Sequence, residues 1–382
     1  MNMKTQNKTR SRIKTTTSLM GTVMLLLGCA YSLSGQTSPS FLKGKVIVMD
    51  QVVSSLEGKL DQAQKEFLRD KTAAYYFTGY NFLCRHSIHY GDKEATAIPY
   101  RVGVDKNHIK VRRRTTAKKG THNSIESKEG SRPAGLLLLH KRTGRSSVIV
   151  DTQLLDIDQI YHFDTDPLYW LGTIDVGESM DFLTGSFIEA DEEVRENLIF
   201  LISAHSDARV PAWLNQTALG SFSTDVREQA IFWRGNLDDQ NCLADLKSIY
   251  RRVHDNELRE KVIFAFNICE DPEAVQEIIR IAKTETDEDV QKQAIFWLGQ
   301  KASKAAVETL KEMVNTSLEN TEVKKSAVFA LSQLPNDRSV PLLMDIARTH
   351  QNPEVRKNAI FWLGESGDTR AIAFFEEILL KK

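Results

Sequence analysis

The sequence has few cysteines, no excess of either charge and no recognisable catalytic motif. Its 382 residues include four cysteines, none in a CxxC pair or a Cys/His cluster with zinc spacing, so a disulfide scaffold, structural zinc and thioredoxin-like chemistry are not expected. The 50 Lys and Arg residues and 51 Asp and Glu residues give a net charge of −1, so no overall field attracts nucleic acid. Motifs of the GxSxG, Walker and Rossmann types are missing too. We therefore predict no cofactor, no metal site and no nucleic-acid partner.

The amino terminus has the layout of a secretory signal. Several basic residues and no acid precede an apolar stretch of about nine residues that ends at Leu27. That stretch is shorter than the roughly 20 residues of a membrane-spanning helix. The LLGC sequence ending at Cys29 resembles a bacterial lipobox, which implies lipidation of Cys29 and membrane attachment; the alternative is ordinary cleavage after Ser34 or Gly35. We expect residues 1–35 to be a signal peptide and the protein to be exported, to the periplasm or as a membrane-anchored lipoprotein.

The second half of the chain repeats itself at an almost fixed interval. A short string recurs six times, and its first residue, Val or Leu, is spaced by 32, 32, 32, 33 and 32 residues. A period of this size is typical of a solenoid. Each string follows an acid-rich start that suits a helix N-terminus and precedes a second segment with helical spacing, so each unit is predicted to be a two-helix hairpin. The first residues of the strings, called position 0, are Val194, Val226, Leu258, Val290, Val323 and Val355.

These units resemble the HEAT-like repeats first described in phycobilisome lyases. The resemblance is carried by the string AIFWLG, which starts at Ala294 and again at Ala359, and by the C-terminal sequence VRKNAIFWLGESGDTRAIAFFEEIL. It covers about residues 191–382 and implies an ARM-type α-solenoid of about six two-helix repeats in a mainly α protein. It implies little about activity, because such repeats serve many unrelated functions.

Residues 41–175 are predicted to form a small β-rich domain in front of the solenoid. The Ser-, Gly- and Lys-rich residues 118–132 are predicted to be a loop, and the segment from Asp164 to Gly172 leads into a helix at about 175–190. A Tyr-rich strand, a YWLG segment and these repeats together resemble exported bacterial HEAT-repeat proteins. Helical spacing covers 54–69, and strand-like segments cover 74–90, 98–104, 108–114, 136–140 and 147–155.

A phenylalanine recurs at position 6 of every string. On a helix it lies about 160° from the centre of the arc shared by positions 0, 4, 7 and 8. The phenylalanines therefore either stack between repeats inside the solenoid or form a partly exposed row on its concave surface. Position 2 holds three glutamates and then three lysines, which either divide that surface into an acidic and a basic half or belong to a solvated helix face. The row of phenylalanines begins with Phe200, and the row at position 2 begins with Glu196. The candidate partner-binding residues are the later members of the two rows: Phe232, Phe264, Phe296, Phe329, Phe361, Glu228, Glu260, Lys292, Lys325 and Lys357.

Tryptophan at position 7 and glycine at position 9 occur together in alternate strings. Close packing favours large side chains opposite small ones, so we predict a double repeat in which the indoles cover small residues of neighbouring repeats. The alternative is a tryptophan-lined binding strip. The pairs are Trp233 with Gly235, Trp297 with Gly299 and Trp362 with Gly364.

Other polar groups give weaker signals. His86 and His89 point to opposite faces of a predicted strand and should not bind one metal ion. The aspartates between 151 and 166 lack the spacing and glycine of a calcium loop and are expected to be solvated. The basic run over 110–119 would suggest nucleic acid inside a cell, but in an exported protein it could contact anionic lipid headgroups. Cys242 and Cys269 are expected to be core residues.

The favoured function is a non-enzymatic protein–protein interaction scaffold of the bacterial cell envelope. The concave face of the solenoid would bind a segment of a partner protein, which needs no catalytic residue. The alternative is a lyase-like enzyme or enzyme accessory, implied only by the resemblance to HEAT-repeat bilin lyases. A third and weaker hypothesis is an envelope stress sensor that handles a membrane-bound regulator.

Overall fold

The computed structural model describes residues 38–49, 53–85, 110–112, 131–157, 159–316 and 320–380. The predicted signal peptide with Cys29, the pair His86 and His89 and the predicted strand over 98–104 lie outside these residues, as do most of the 118–132 loop and the basic run beyond Arg112. In the described part, strands dominate before residue 174 and helices after it. The protein is therefore mainly α, with a sheet in front of a helical series, as predicted.

The bounds of the elements confirm the predicted helices near 54–69 and 175–190. The strands are β1 Leu42–Val48, β2 Tyr75–Arg85, β3 Lys110–Arg112, β4 Ser131–Thr143, β5 Ser146–Leu155 and β6 Ile160–Thr173. The helices are α1 Leu56–Arg69, α2 Val176–Glu189, α3 Glu192–Ser203, α4 Val210–Ala218, α5 Thr224–Asn236, α6 Cys242–Arg252, α7 Asn256–Ile268, α8 Ala274–Thr284, α9 Glu288–Lys301, α10 Lys304–Asn315, α11 Thr321–Ser332, α12 Asn336–Thr349, α13 Pro353–Glu365 and α14 Thr369–Leu380.

The strands form one mixed sheet in the order β1–β6–β2–β4–β5, with β3 beside the start of β6. β1, β6 and β2 are parallel, whereas β4 is antiparallel to β2 and to β5. The sequence does not predict β1 or β6. The polar stretch Asp164–Pro167 interrupts the apolar alternation of β6, and the register with β1 shifts between Gly44 and Val46. β6 is a strand because β1 and β2 hydrogen-bond to it from both sides.

Alternate residues of β2 point into two apolar clusters on opposite faces of the sheet. Tyr76 and Tyr80 belong to a cluster that includes Phe67 of α1 and Leu183 of α2. Phe77, between them, belongs to the cluster on the other face. The first cluster continues through the helical series, so the sheet and the helix pairs share one hydrophobic core. The boundaries at 175 and 191 stay a prediction.

Candidate functional site

The odd-numbered helices from α3 to α13 carry the six strings, and side-chain caps set where five of them begin. Ser223, Asp255, Asp287, Asn320 and Asn352 each accept a hydrogen bond from a backbone N–H in the first turn of the following helix. A fixed start gives each helix the same rotation about its axis. Position 0 is consequently buried in all six copies, as is position 4.

The phenylalanines at position 6 occupy a different face of these helices. Phe200 is 4% exposed and Phe361 is 56% exposed, and the four phenylalanines between them are half-buried. Glu228 and Lys325, four residues before Phe232 and Phe329, are half-buried on the same face. The four middle phenylalanines thus present part of each ring to solvent and pack with the rest.

The phenylalanines and tryptophans form a continuous series of ring contacts, which we call the aromatic ladder. Each tryptophan packs between the phenylalanine of the preceding repeat and that of its own repeat, at centroid distances of 4.8–5.1 Å. Phe232 stacks on Phe264 at 6.0 Å and Phe296 on Phe329 at 6.4 Å. In chain order the ladder is Phe200, Phe232, Trp233, Phe264, Phe296, Trp297, Phe329, Phe361 and Trp362.

Two of the glycines at position 9, Gly235 and Gly299, lie directly against the next odd-numbered helix. A Cβ placed on Gly235 would lie 2.8 Å from the Cβ and 3.0 Å from the Cα of Ala265, and one on Gly299 would lie 2.9 Å from the carbonyl oxygen of Ala330. Small residues thus meet small residues of the next repeat, and the indoles pack on phenylalanines. The cover of small residues by the indoles stays a prediction.

The ladder lies on the more tightly packed layer of the solenoid. Each odd-numbered helix packs closely on the next one from α3 to α13, whereas the even-numbered helices contact one another only sparsely. In a curved array of helix pairs, the layer with the closer helices is on the inside of the curve. We infer that the odd-numbered helices, and with them the ladder, line the concave side.

Charge on this face is set by two rows of residues. The lysines at position 2 pair with acids of their own helix: Lys325 with Glu322 at 2.9 Å, and Lys357 with Glu354 at 2.8 Å. Lys292 pairs in the same way with acids at the start of α9. The half expected to be basic is therefore charge-balanced. The acids that pair with these lysines include members of a second row, which reasoning from the sequence overlooked. In every string an acid directly precedes position 0: Glu193, Asp225, Glu257, Asp289, Glu322 and Glu354.

The other half of the face is more acidic. Glutamates occupy position 2 of α3, α5 and α7, one turn after the acid that precedes position 0. Glu228 pairs with Lys261 at 2.9 Å, whereas Glu196 and Glu260 have like charges as neighbours. Burial raises the pKa of Glu196, and the carboxylates of Asp225 and Glu192 raise it further. The pKa of Glu260 is raised by burial and by Asp289. A cation bound at this end would relieve that repulsion.

A buried serine and histidine form a contact that resembles a catalytic dyad. Ser179 Oγ lies 2.8 Å from His205 Nε2 and 2.8 Å from Tyr80 Oη, and His205 Nδ1 lies 2.7 Å from the carbonyl oxygen of Leu201. Since the carbonyl can only accept, Nδ1 carries the proton and Nε2 accepts from the serine. All three polar side chains have 0% exposure, so a substrate does not reach them. They join β2, α2 and α3 as a structural network.

Two buried histidines are expected to make stability depend on pH. Burial lowers the pKa of His205 to about 4 and that of His140 to about 3, from 6.5. The unfolded chain therefore takes up their protons first, so stability is full above pH 6.5 and falls by about 1.4 kcal/mol per pH unit for each histidine down to the folded pKa. Asp151 opposes this, because burial raises its pKa to about 6 and its folded form gains a proton as the pH falls.

We expect the free energy of unfolding to be about 2 kcal/mol lower at pH 5 than at pH 7, measured by urea denaturation. His140→Gln and His205→Gln should each flatten the slope, since glutamine keeps hydrogen-bonding capacity without titrating. Equal stability of the wild-type chain at the two pH values would contradict the buried neutral state of the histidines.

The aspartates between 151 and 166 do not converge on one point. Asp151 is buried in β5 with its carboxylate on the backbone N–H of Thr152, while Asp164 is exposed in β6. Over the described residues, no group of three or more His, Cys, Asp or Glu side chains could hold a metal ion. In the same residues, no helix combines the length and the apolar character needed to cross a membrane.

The family model for HEAT repeats matches residues 275–349 and 316–382. Residues 275–382 are therefore similar to HEAT repeats. Upstream of them, α3 to α7 continue the same helix-pair pattern at the same spacing. A search among curated proteins finds no match.

Several solved structures match this chain at low similarity. Escherichia coli YibA is 20% identical, with 54% of this chain and 77% of YibA covered and a TM-score of 0.33. The CpcE–CpcF complex of phycocyanin lyase from Nostoc sp. is 14% identical, with 51% and 79% covered and a TM-score of 0.30. Human deoxyhypusine hydroxylase is 17% identical, with 53% and 79% covered and a TM-score of 0.24. At these values the likenesses carry no argument about activity.

Proposed function

We propose that this protein is a non-enzymatic protein–protein interaction scaffold of the bacterial cell envelope. It binds a segment of a partner protein along the concave face of the odd-numbered helices. The single observation that carries the proposal is the aromatic ladder, a continuous row of rings with solvent-facing edges on a regular helical face. HEAT repeats provide an extended surface for such binding without catalytic groups.

The ladder has the properties of a binding surface rather than of a closed core. Aromatic side chains are enriched in the central parts of protein interfaces, where they bury large areas at low entropic cost. The rings of Phe232, Phe264, Phe296 and Phe329 are held in place by stacking and by the tryptophans, yet each is only half-buried. A partner segment would cover the remaining edges without rearranging the helices.

The charges favour a particular chemistry for the partner segment. Its apolar side chains would lie on the ladder, and its Lys or Arg side chains would lie at the α3–α7 end, near Glu196 and Glu260, while Glu228 pairs with Lys261 of this chain. At the other end, Lys292, Lys325 and Lys357 are paired with acids of this chain, so that end favours uncharged segments. The electrostatic contrast would fix the direction in which the segment lies.

The place of action is part of the proposal. Export by the signal at residues 1–35 would deliver the mature chain to the envelope, and lipidation at Cys29 would attach it to a membrane. The sheet of β1 to β6 would then orient the solenoid or bind a second partner.

The proposal is tested by affinity capture from envelope extract with the mature chain, residues 36–382, as bait. The test variant is Phe296→Ala combined with Phe329→Ala, and the control is Phe222→Ala, an equally half-buried ring outside the ladder. We expect one partner to be retained by the wild-type chain and the control and reduced at least tenfold with the ladder variant. Because these rings are not fully buried, each of the two substitutions should cost less than the roughly 3–5 kcal/mol of a core Phe→Ala change.

A thermal melt of each bait separates loss of binding from loss of fold. Equal capture by the folded ladder variant and the wild-type chain would refute the ladder as the binding surface.

A further inference from the structure

The helix pair α13–α14 exposes an apolar face that is buried in the earlier repeats. Ile372 and Leu379 of α14 are 58% and 80% exposed. Val340 and Ala347, their counterparts 32 residues earlier in α12, are 0% and 6% exposed, because the next helix pair packs on α12. Terminal repeats of a solenoid usually have a polar outer face, so an apolar one indicates a contact with another molecule.

The same contrast is present in α13. Ile360 at position 5 is 37% exposed, whereas position 5 is fully buried in the five earlier strings. A Cβ on Gly364 would meet nothing within 4 Å, whereas Gly235 and Gly299 lie directly against the next odd-numbered helix. This surface is thus a repeat-to-repeat contact that lacks its second half, and we call it the end face. The residues of the end face are Ile360, Gly364, Ile372 and Leu379.

A lysine lies at the rim of the end face. Position 2 is at the rim of a contact between repeats, because Glu228 at this position in α5 pairs with Lys261 of α7 at 2.9 Å. Lys357 holds position 2 in α13. Its side chain is 71% exposed although it pairs with Glu354 of its own helix, so its ammonium group can also meet a carboxylate of another molecule.

A charge of opposite sign lies at the same end of the helix pair. Glu376 is exposed in α14 and lies one turn from both Ile372 and Leu379. The two helices are antiparallel across the turn at 366–368. Lys357 is eight residues before the end of α13, and Glu376 is seven residues after the start of α14. At 1.5 Å per residue, both therefore lie about 11–12 Å from the turn.

A second copy of this chain complements the end face when a twofold axis runs parallel to the two helices. The rotation sets α13 of each copy against α14 of the other, in opposite directions. Lys357 of one copy then lies opposite Glu376 of the second copy, and the reciprocal pair forms by symmetry. Nearer the turn, Ile372 of one copy lies over Gly364 of the second, where there is open space for it.

We propose that the end face is the contact of a symmetric homodimer. The odd-numbered helices from α3 to α13 already pack on one another within the chain, so among the described repeats the end face is the repeat surface that a second copy can share. An isologous contact uses the same residues twice and closes. Helices of 13 and 12 residues side by side cover roughly 19 by 20 Å, on the order of 400 Å² per copy. That is a small interface, so the dimer is reversible, with a dissociation constant in the micromolar range.

The test is sedimentation equilibrium of residues 36–382, which include every residue that the structure describes, across the micromolar range. We expect the average mass to rise from that of one chain to that of two. Ile372→Glu should raise the dissociation constant at least tenfold, since it places a charge on each side of the apolar contact. Because Ile372 is exposed in the single chain, the thermal melt of this variant should match that of the wild-type chain at a concentration where both are monomeric.

Charge reversal tests the arrangement of the two copies. Lys357→Glu alone and Glu376→Lys alone should each weaken dimerisation about tenfold, because both reciprocal pairs then carry like charges. In an equimolar mixture of the two variants, both pairs of a mixed dimer have opposite signs again, so mixed dimers should form with nearly wild-type affinity. Lys283→Glu reverses an exposed, paired lysine on α8; it is the control and should dimerise like the wild-type chain.

Three results would overturn the proposal. A chain that stays monomeric at every concentration would leave the end face to a different protein or to a membrane. A dimer that tolerates Ile372→Glu would show that the contact lies elsewhere on the molecule. Equal dimerisation by the mixture and by the separate charge variants would refute the twofold arrangement.

Discussion

Replacing Gly235 by leucine is expected to lower the free energy of unfolding by about 3 kcal/mol, because the new side chain would have to enter the contact between α5 and α7. Its Cβ alone would come within 3.0 Å of the Cβ, the Cα and the carbonyl oxygen of Ala265. Two of those atoms belong to the backbone, so the helices themselves must separate. Gly299→Leu should behave alike, since its Cβ would meet the backbone of Ala330.

Gly364 provides the matched control for this change. It occupies the same position 9 in α13, but a Cβ there would meet nothing within 4 Å. Leucine has a helix propensity better than that of glycine by about 0.8 kcal/mol, so Gly364→Leu should leave stability unchanged or raise it slightly. Urea denaturation of the three variants measures the contrast. Similar losses for Gly235→Leu and Gly364→Leu would show that the glycines do not set the spacing of the repeats.

The second large effect is expected from reversing charge in the acidic half. Glu196→Lys with Glu260→Lys should weaken binding of the partner segment about a hundredfold, because attraction becomes repulsion at two points, equivalent to about 2.7 kcal/mol. The wild-type affinity should fall as salt rises, and that of the variant should not. Isothermal titration calorimetry with the partner found by affinity capture measures both.

Neutral variants separate this effect from stability. Since burial and neighbouring carboxylates raise the pKa of Glu196 and Glu260, their charges destabilise the folded state, and Glu→Gln at both sites should not impair folding. Lys325→Gln with Lys357→Gln is the control at the charge-balanced end, where the loss of affinity should stay below about threefold, as for exposed paired charges. An equal loss at both ends would contradict a directional charge contrast.

The helix pairs could be predicted because the sequence pattern of each helix is local and recurs in every repeat. Six strings with one spacing gave the helix pairs, and the angular separation of position 6 from positions 0 and 4 set the phenylalanines apart from the core. The choice between buried and exposed phenylalanines was not predictable. It depends on how closely neighbouring helices approach, and Gly235 and Gly299 set that distance through contacts with residues about thirty positions away.

Other features depend on partners that no local pattern reveals. β6 carries a polar interruption and is a strand only because β1 and β2 flank it. Arg234 occupies position 8, where the other strings have apolar residues, and is 0% exposed because Asp239 and Asp245 pair with it at 2.9 and 2.8 Å.

The central claim, that the ladder face binds a partner, is tested most directly by site-specific photo-cross-linking in cells that produce the protein. A benzophenone side chain replaces Phe264 or Phe329 in the ladder and, in the control, Leu342 of α12 on the opposite layer; all three residues are half-buried. We expect adducts with one and the same polypeptide from both ladder positions and none from α12. Adducts from α12 without adducts from the ladder would contradict it.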